Sequence, residues 1–284
     1  MIQDIWPNQL KNQYHSEQIT ENAKVMCFKE GSIYCRCEAE LEFLTYKELL
    51  EYYNMEEKGL PECRYLFSVG REAYYLFMPE MELEIAGYSY RRMFEIRALK
   101  PKEKVFAAAT AWHLYVWYRD NRFCGRCAER LVHNEKQRML ECPSCKNMVF
   151  PKIAPAVIVG VTNGDKILMT KYADREYKRY ALIAGFTEIG ETAEETVARE
   201  VMEEVGLHVK NIRYYKSQPW GFDSNLLLGY FCDLDDDAEI TLDEEELSVA
   251  EWIDYRDIPE DKEKLSLTRE MMTYFKEQRM SEHS

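Results

Sequence analysis

The sequence predicts an α+β protein whose C-terminal part is a mixed β-sheet sandwiched between helices. Three observations support this class. Strand-type segments alternate with two helix-type segments after residue 150, two Cys-x2-Cys pairs precede them, and an earlier region carries its own strand and helix patterns. We therefore expect three domains: an N-terminal α+β domain over 1–120, a small cysteine-bound module over 121–150, and the sandwich over 151–284.

The N-terminal region reads as a strand pair and two helices. Arg64 to Val69 and Ala73 to Met78 are rich in β-formers and flank a turn at Gly70. Tyr46 to Tyr53 and Lys102 to Tyr118 have helical patterns, and the aromatic residues of the second are expected in the core. No constellation of catalytic side chains is apparent in this region.

Four cysteines form the ordered set Cys124, Cys127, Cys142 and Cys145. Two Cys-x2-Cys turns at this separation can place four thiolates around one Zn²⁺ ion in a tetrahedron, with 131–141 as a hairpin between them. Four thiolates leave no position for water, so the expected role is structural, with one zinc per chain. The alternatives are a coincidence of two pairs and a redox pair.

The last region predicts strands at Ala156–Thr162, Lys166–Thr170, Tyr180–Ile183, Val209–Ser217, Leu226–Leu234 and Ala250–Ile253, and a final helix at Thr268–Arg279. Asn163-Gly164-Asp165 is a favourable hairpin turn between the first two strands. Strands interleaved with helices favour a mixed sheet covered on both faces.

Residues 185–207 read Gly-x5-Glu-x7-Arg-Glu-Val-x-Glu-Glu-x-Gly-Leu. In a helix, Glu200, Glu203 and Glu204 share one face, where like charges repel and a bound cation relieves the repulsion. Carboxylate oxygens suit Mg²⁺ or Mn²⁺. We expect this face to point away from the apolar stripe that packs on the sheet. The pattern indicates metal-assisted attack of water on a phosphate; the alternative is an ordinary solvated glutamate-rich helix.

The ends of this helix are also defined by the sequence. Thr192 and Glu195 form a capping box, and Gly206 is a favourable C-terminal residue. Arg199 lies four residues before Glu203 and is expected to hold its carboxylate. Supporting residues precede the helix: Gly185 in a tight loop that also carries Glu191.

Composition and charge bear on the expected ligands and on the expected location of the protein. The chain has 284 residues and a formal charge of −14, which argues against a broad nucleic-acid footprint. No apolar run reaches the length of a membrane span. Nine cysteines without a defensible disulfide spacing fit reduced thiols, so a cytoplasmic location is expected.

The glutamate motif fills every specified position of the Nudix box. With the cysteine module before it and Ser217-Gln218-Pro219-Trp220-Gly221-Phe222 after it, the chain resembles the NADH pyrophosphatase branch of the Nudix hydrolases, whose corresponding segment is Ser-Gln-Pro-Trp-Pro-Phe-Pro. The resemblance covers the zinc ribbon and the C-terminal half. It implies a Nudix α/β/α sandwich, a homodimer, and hydrolysis of NAD(H) to AMP and nicotinamide mononucleotide.

The resemblance also implies site residues. Glu200, Glu203 and Glu204 match metal-binding glutamates, and Glu246 matches a further carboxylate that joins them in metal binding and catalysis. The positions matching substrate-binding residues are Phe150, Phe186, Gln218, Trp220, Phe222, Asn225 and Ala250. Phe150 and Phe186 are expected to clamp a base, the former across a dimer interface.

Departures from the family pattern leave the substrate open. Gly221 and Asp223 replace two prolines, which is expected to loosen the loop, and Asp223 is expected to repel a phosphate or bind a ribose hydroxyl. Alternatives are removal of a 5′-NAD cap from RNA and hydrolysis of another nucleoside diphosphate derivative such as ADP-ribose. A non-enzymatic nucleotide sensor or interaction module is the remaining class.

Overall fold

A computed structural model describes residues 1–15, 17–55, 61–173, 179–235 and 238–283. The chain divides into two compact units. The N-terminal unit holds Ile2–Lys152 and the short segment Trp220–Ser224, and the C-terminal unit holds Met1, Ile153–Pro219 and Asn225–Ser284. The finer division into three domains stays a prediction.

The N-terminal unit contains both strands and helices. Its strands are β1 (Leu10–Lys11), β2 (Lys24–Met26), β3 (Phe28–Lys29), β4 (Ser32–Cys37), β5 (Leu41–Glu42), β6 (Leu44–Thr45), β7 (Cys63–Val69), β8 (Glu72–Phe77), β9 (Ser89–Arg92), β10 (Val132–His133), β11 (Leu140–Glu141) and β12 (Met148–Val149). Its helices are α1 (Tyr46–Met55), α2 (Met93–Ile96) and α3 (Lys102–Asp120).

These strands form separate sheets. One has the order β1-β7-β8-β2-β6, a second joins β3, β4, β5 and β9, and the ribbon has the order β10-β11-β12. The expected strand pair is β7 and β8, which pair antiparallel. Helix α3 buries Phe106, Tyr115 and Trp117, as the aromatic pattern predicts.

The C-terminal unit is a single mixed sheet with helices. Its elements are β13 (Ala154–Asn163), β14 (Lys166–Tyr172), β15 (Ile183–Phe186), α4 (Ala193–Val205), β16 (Val209–Trp220), β17 (Asn225–Leu234), β18 (Leu247–Asp254) and α5 (Leu267–Glu282). The sheet order is β16-β17-β13-β14-β18, and β15 also pairs with β13. The pairing of β13 with β17 is parallel and the pairings of β13 with β14 and β15 are antiparallel, so the sheet is mixed.

Helices α4 and α5 cover opposite faces of this sheet. Leu228 and Tyr230 of β17 pack with Val197 and Val201 of α4. Between them, Gly229 lies against α5, because a Cβ added there would meet Met271 Sδ at 2.8 Å. Successive strand residues point to opposite faces, so the sheet lies between the two helices. This confirms the α+β class and the α/β/α sandwich.

The strand before the glutamate motif differs from the expectation. Tyr180–Ile183 was expected as the strand, but β15 runs Ile183–Phe186 and pairs with Ala156–Val159 of β13. Tyr180 lies before the strand, and Ala181 forms an isolated bridge to Thr170 without belonging to β15. The strand therefore continues directly into the loop of the motif. Within the described residues, no helix combines the length and hydropathy that a membrane crossing requires.

Candidate active site and metal-binding residues

Helix α4 begins and ends where its sequence predicts. The Thr192 side chain accepts a hydrogen bond from the Glu195 backbone N–H, and the Glu195 carboxylate accepts one from the Thr192 backbone N–H. This reciprocal pair satisfies donors at the helix start that have no partner within the helix. Gly206 has φ of 69° and its N–H donates to Met202 O, which ends the helix in a left-handed residue. The helix that carries the glutamates is thus fixed at both ends.

The glutamates do not all face solvent, which corrects the expectation that the acidic face points away from the packed stripe. Glu200 is 9% exposed and Glu204 3%, beside the buried Val197 and Val201, whereas Glu203 is exposed. Positions 200 and 204 lie one residue from 201 and 205, so the apolar stripe and the acidic face share an edge. A buried carboxylate is costly without compensating charge or hydrogen bonds. Arg199 supplies such a hydrogen bond and an opposite charge to Glu200.

Gly185 provides the space for Glu200. A Cβ built on Gly185 would lie 1.8 Å from Glu200 Cδ and about as near to both carboxylate oxygens. Gly185 is in β15, opposite Val157, on the sheet face that α4 covers. The Glu200 carboxylate therefore lies directly against the backbone of β15. This contact explains a glycine at the start of the motif better than loop flexibility does.

Arg199 connects the carboxylates of the motif. Its guanidinium donates to Glu191 Oε1 at 2.6 Å, to Glu200 Oε1 at 2.7 Å and to Glu203 Oε2 at 2.9 Å. It also donates to the backbone carbonyl of Phe186 at 2.9 Å. The contact with Glu203 is the one that the four-residue spacing predicts; the others extend it to the loop. A planar guanidinium with five donors suits such a set, so Arg199 fixes the loop and the helix relative to each other.

Glu191 and Glu200 experience opposite electrostatic environments. The hydrogen bonds from Arg199 lower the pKa of Glu191 to about 2, and the Glu188 backbone N–H acts in the same direction. Burial raises the pKa of Glu200 above its usual value, although Arg199 partly opposes this, and the charges of Glu203 and Glu246 raise it further. Glu191 is therefore an anion at neutral pH, whereas burial disfavours the charge of Glu200 and the hydrogen bond from Arg199 offsets this only in part.

The donor set at this helix fits a hard divalent cation. Glu200, Glu203 and Glu204 supply oxygen donors, and Glu246 is close enough to Glu200 for its charge to raise the pKa of that residue. Carboxylates are the ligands that Mg²⁺ and Mn²⁺ prefer. The Glu200 carboxylate lies in the cradle that Gly185 leaves, where a side chain would fill the space. The donor chemistry suits the metal that the motif implies, although among the described residues no three of these carboxylates bring oxygen atoms within 4.8 Å of one another.

The four cysteines form the second candidate metal centre. Their sulfur atoms lie within 4.8 Å of one another, and in the described part of the chain they are the one group of three or more His, Cys, Asp or Glu ligand atoms that does so. Cys124 and Cys142 accept N–H···S hydrogen bonds at 3.4 Å from Arg126 and Cys145. These donors lower the pKa of Cys124 and of Cys142, which favours the thiolates that zinc requires. A backbone hydrogen bond from Glu129 acts to lower the pKa of Cys127, but the hydrogen bonds of Cys127 with Cys142 and Cys145 outweigh it, so this pKa is raised instead.

The two cysteine turns repeat one backbone pattern. Ala128 N donates to Cys124 O, and Lys146 N donates to Cys142 O, at 2.8 and 3.1 Å. Ala128 and Lys146, each one residue past its second cysteine, both have φ of 60°. Two matching turns that face each other with closely spaced sulfurs are the arrangement of a zinc ribbon, with no coordination position left for water.

Phe186, Asn225 and Ala250 lie in the C-terminal unit. Phe186 ends β15 with an exposed side chain, and Ala250 of β18 pairs with Thr170. Asn225 begins β17 opposite Ala154, and its buried side-chain carbonyl oxygen has no hydrogen-bond partner among the residues that the structure describes. A buried carbonyl oxygen without a hydrogen-bond partner is uncommon. Such an oxygen can accept a hydrogen bond from a donor group on a bound ligand.

Gln218 has a different environment from the one expected of a substrate-binding residue. It is fully buried, its Nε2 donates to Leu265 O at 2.9 Å, and its Oε1 accepts from Leu267 N at 2.7 Å. The amide thereby satisfies backbone groups at the start of α5. These contacts support a structural role at that helix and do not support direct contact with substrate.

Trp220, Phe222 and Phe150 belong to the N-terminal unit. Phe150 is about half exposed, Trp220 is 8% exposed and Phe222 is half-buried. Trp220 Nε1 donates to Asp223 Oδ2 at 2.9 Å, so Asp223 has a protein partner, and its expected effect on a phosphate or ribose stays a prediction. Gly221 is buried and closely packed rather than loosened, because a Cβ there would lie 2.2 Å from Ala109 O.

Two residues around this segment were not identified from the sequence. Trp112 Nε1 donates to Phe222 O, and the Arg97 guanidinium lies over the Trp220 and Phe222 rings. More than a hundred residues separate each from its partner, and no local pattern links them.

Two protein-family models match consecutive parts of the chain. The NUDIX domain model matches residues 152–275, and the NADH pyrophosphatase zinc ribbon domain model matches residues 119–150. The NAD-capped RNA hydrolase NudC of Vibrio atlanticus (strain LGP32) is 37% identical over 193 residues, which cover 67% of this chain and 69% of that protein.

Other relatives share a shorter stretch. NAD-capped RNA hydrolase NudC of Klebsiella pneumoniae subsp. pneumoniae is 40% identical over 143 residues, which cover 50% of this chain and 55% of that protein. The crystal structure of a NUDIX hydrolase from Nitrosomonas europaea has a TM-score of 0.48 and 22% identity, covering 56% of this chain and 93% of that one. Beyond the first relative, the match spans about half the length of the curated proteins.

Proposed function

Because the chain belongs to the NADH pyrophosphatase family of Nudix hydrolases, we propose that it hydrolyses the diphosphate bond of NAD(H). The products are AMP and nicotinamide mononucleotide. The observation that carries this proposal is the arrangement on α4: two buried glutamates and one exposed glutamate, with Arg199 bonded to two of them and Glu200 lying against Gly185. A helix that only faces solvent needs none of these features.

Glu200, Glu203, Glu204 and Glu246 are the proposed ligands of Mg²⁺ or Mn²⁺. When bound, such ions neutralise charge on the diphosphate and lower the pKa of a coordinated water. Arg199 holds Glu200 and Glu203 in fixed rotamers before substrate arrives, which reduces the entropy lost on binding. One of these carboxylates is proposed to accept the proton of the attacking water.

Recognition of the two nucleotides is assigned to the aromatic and polar residues outside the helix. Phe186 and Phe150 expose rings on which a planar base can stack. The unsatisfied Asn225 carbonyl can accept a hydrogen bond from an amide or an exocyclic amine. Trp220, Phe222 and Ala250 complete the proposed set, in which Gln218 acts indirectly by fixing the start of α5.

A second candidate substrate is RNA that carries a 5′-NAD cap. The similarity to proteins named NAD-capped RNA hydrolases supports it, and the bond cleaved is the same. The net charge of −14 favours a small contact with the RNA chain next to the cap over a long basic groove.

Assembly and location form part of the proposal. We infer a homodimer, because the half-exposed Phe150 is expected to reach across a dimer interface to a base. All nine cysteines are free thiols in the structure, which fits a reducing cytoplasm and structural zinc. The mass of the purified protein by light scattering tests the dimer: about twice 33.8 kDa is expected.

A substrate panel tests the activity. NADH, NAD⁺, NAD-capped RNA, ADP-ribose and diadenosine compounds are compared by kcat/KM with Mg²⁺ and with Mn²⁺. We expect NAD(H) or the capped RNA to be preferred over ADP-ribose by at least about tenfold, a margin of 1.4 kcal/mol. A preference for ADP-ribose would refute the substrate assignment, and lack of turnover on every compound would favour a nucleotide sensor.

A further inference from the structure

The segment Trp220–Ser224 is held by residues of the N-terminal unit. It leaves β16, forms a short 3-10 helix over Gly221–Asp223, and is flanked in the sequence by Pro219 and Asn225 of the C-terminal unit. The segment contains no proline, which would restrict its backbone without any tertiary contact. Its rigidity therefore depends on contacts with other residues.

Close packing on α3 supplies part of that rigidity. The Cα of Gly221 lies so near the Ala109 carbonyl that a Cβ would meet its oxygen at 2.2 Å and its carbon at 2.7 Å. One helical turn further along α3, Trp112 Nε1 donates to the Phe222 carbonyl at 3.1 Å. These two contacts place consecutive residues of the segment against one face of α3.

Arg97 contributes the side-chain contacts. Its Cζ lies 4.9 Å from the centroid of the Trp220 ring and 5.5 Å from that of Phe222, and 5.2 Å from that of Phe94. The Trp220 and Phe222 rings are 5.0 Å apart. A guanidinium within 6 Å of an aromatic face is attracted by the ring quadrupole. Arg97 therefore holds both aromatic side chains of the segment, while Asp223 binds the Trp220 indole from within it.

We propose that Arg97 and Trp112 are positioning residues, which hold Trp220 and Phe222 in the conformation that binds substrate. The proposal rests on the assignment of Trp220 and Phe222 to substrate. It gives the N-terminal unit a specific task in nucleotide binding: Trp112 fixes the backbone of the segment and Arg97 fixes its rings. Neither residue needs to touch the substrate itself.

Three variants separate these contributions. Arg97→Leu removes the cation and keeps much of the bulk, and Arg97→Lys keeps the cation. Trp112→Phe removes the indole donor to the Phe222 carbonyl and keeps an aromatic ring beside Phe28 and Tyr115. Arg119→Leu is the matched control, because Arg119 also lies over a ring, that of Tyr115 at 5.7 Å, outside this segment. Each variant is assayed as the full chain for KM and kcat with NADH, for Tm, and for backbone hydrogen exchange over 219–225.

The expected result is a change in binding with the fold retained. Arg97→Leu and Trp112→Phe raise KM about three- to tenfold, as expected for loss of one cation–π or hydrogen-bond contact, with kcat and Tm close to wild type. Hydrogen exchange over 219–225 becomes faster. Arg97→Lys restores KM at least in part, and Arg119→Leu behaves as wild type.

Two results would overturn the proposal. One is an unchanged KM together with unchanged exchange in Arg97→Leu and Trp112→Phe. The other is a parallel loss of kcat and Tm that Arg97→Lys does not restore, which would mean a general role in folding. A wild-type protein without activity on NADH or capped RNA refutes the proposed function instead, and the exchange measurement then still decides whether Arg97 and Trp112 hold the segment.

Discussion

At the scale of single residues, the candidate site depends on a contact between a glycine and a carboxylate. Gly185 leaves the space that the Glu200 carboxylate fills, and Arg199 bonds to that carboxylate from the other side. Burial alone destabilises the charged form of Glu200. Arg199 offsets part of this cost, and the pKa of Glu200 stays above its usual value.

Substitution of Gly185 by alanine tests this contact. A Cβ at 1.8 Å from Glu200 Cδ must displace the carboxylate, and overpacking of this kind costs about 1–3 kcal/mol of folding free energy. We expect a lower Tm and a fall in kcat of at least about tenfold, equivalent to 1.4 kcal/mol. Gly125→Ala is the control, because a Cβ there meets nothing within 4 Å. A fully active Gly185→Ala enzyme would contradict the role of this contact.

The residue-scale predictions from the sequence were local ones. The spacing of Arg199 and Glu203 predicts their hydrogen bond, which the structure contains. The bonds of Arg199 to Glu191 and to the Phe186 carbonyl depend on how the loop folds over the helix. The burial of Glu200 and Glu204 depends on the sheet beneath them. Helical spacing alone therefore predicts neither these bonds of Arg199 nor the burial of the two glutamates.

At the scale of elements, the cysteine module is the part that the sequence defines most fully. Two Cys-x2-Cys pairs predict the two turns, and the hairpin between them forms as β10 and β11. The helix of the glutamate motif is likewise defined by its capping box and its C-terminal glycine. The preceding strand was wrongly placed by three residues, because the short segment 180–186 lacks a clear alternation.

Removal of one zinc ligand tests the module. Cys142→Ser should reduce bound zinc from about one ion per chain to nearly none, since a structural site needs all four ligands. Tm should fall by about 5 °C or more, because metal binding contributes to folding free energy. Cys37→Ser is the control, as its sulfur lies 3.6 Å from that of Cys35 and outside the group of four. Retention of one zinc per chain in Cys142→Ser would contradict the assignment.

At the scale of the whole molecule, contacts between residues distant in sequence set the limit of prediction. Composition and motif order predict the α+β class and the covered mixed sheet, because these depend on local periodicity. Nothing local predicts that Trp220–Ser224 clusters with the N-terminal unit while its neighbours cluster with the C-terminal unit. Gly221 was expected to loosen that segment, yet its packing on Ala109 requires a glycine.

The proposed function requires the α4 glutamates to bind a cation for hydrolysis of the diphosphate. Turnover of NADH by Glu203→Gln, with AMP and nicotinamide mononucleotide quantified at saturating Mg²⁺ or Mn²⁺, tests it. Glu203 is exposed, so the substitution should leave Tm unchanged. Loss of one charged ligand should lower kcat by about 10²–10³ relative to wild type. Turnover equal to that of the wild type would contradict the claim.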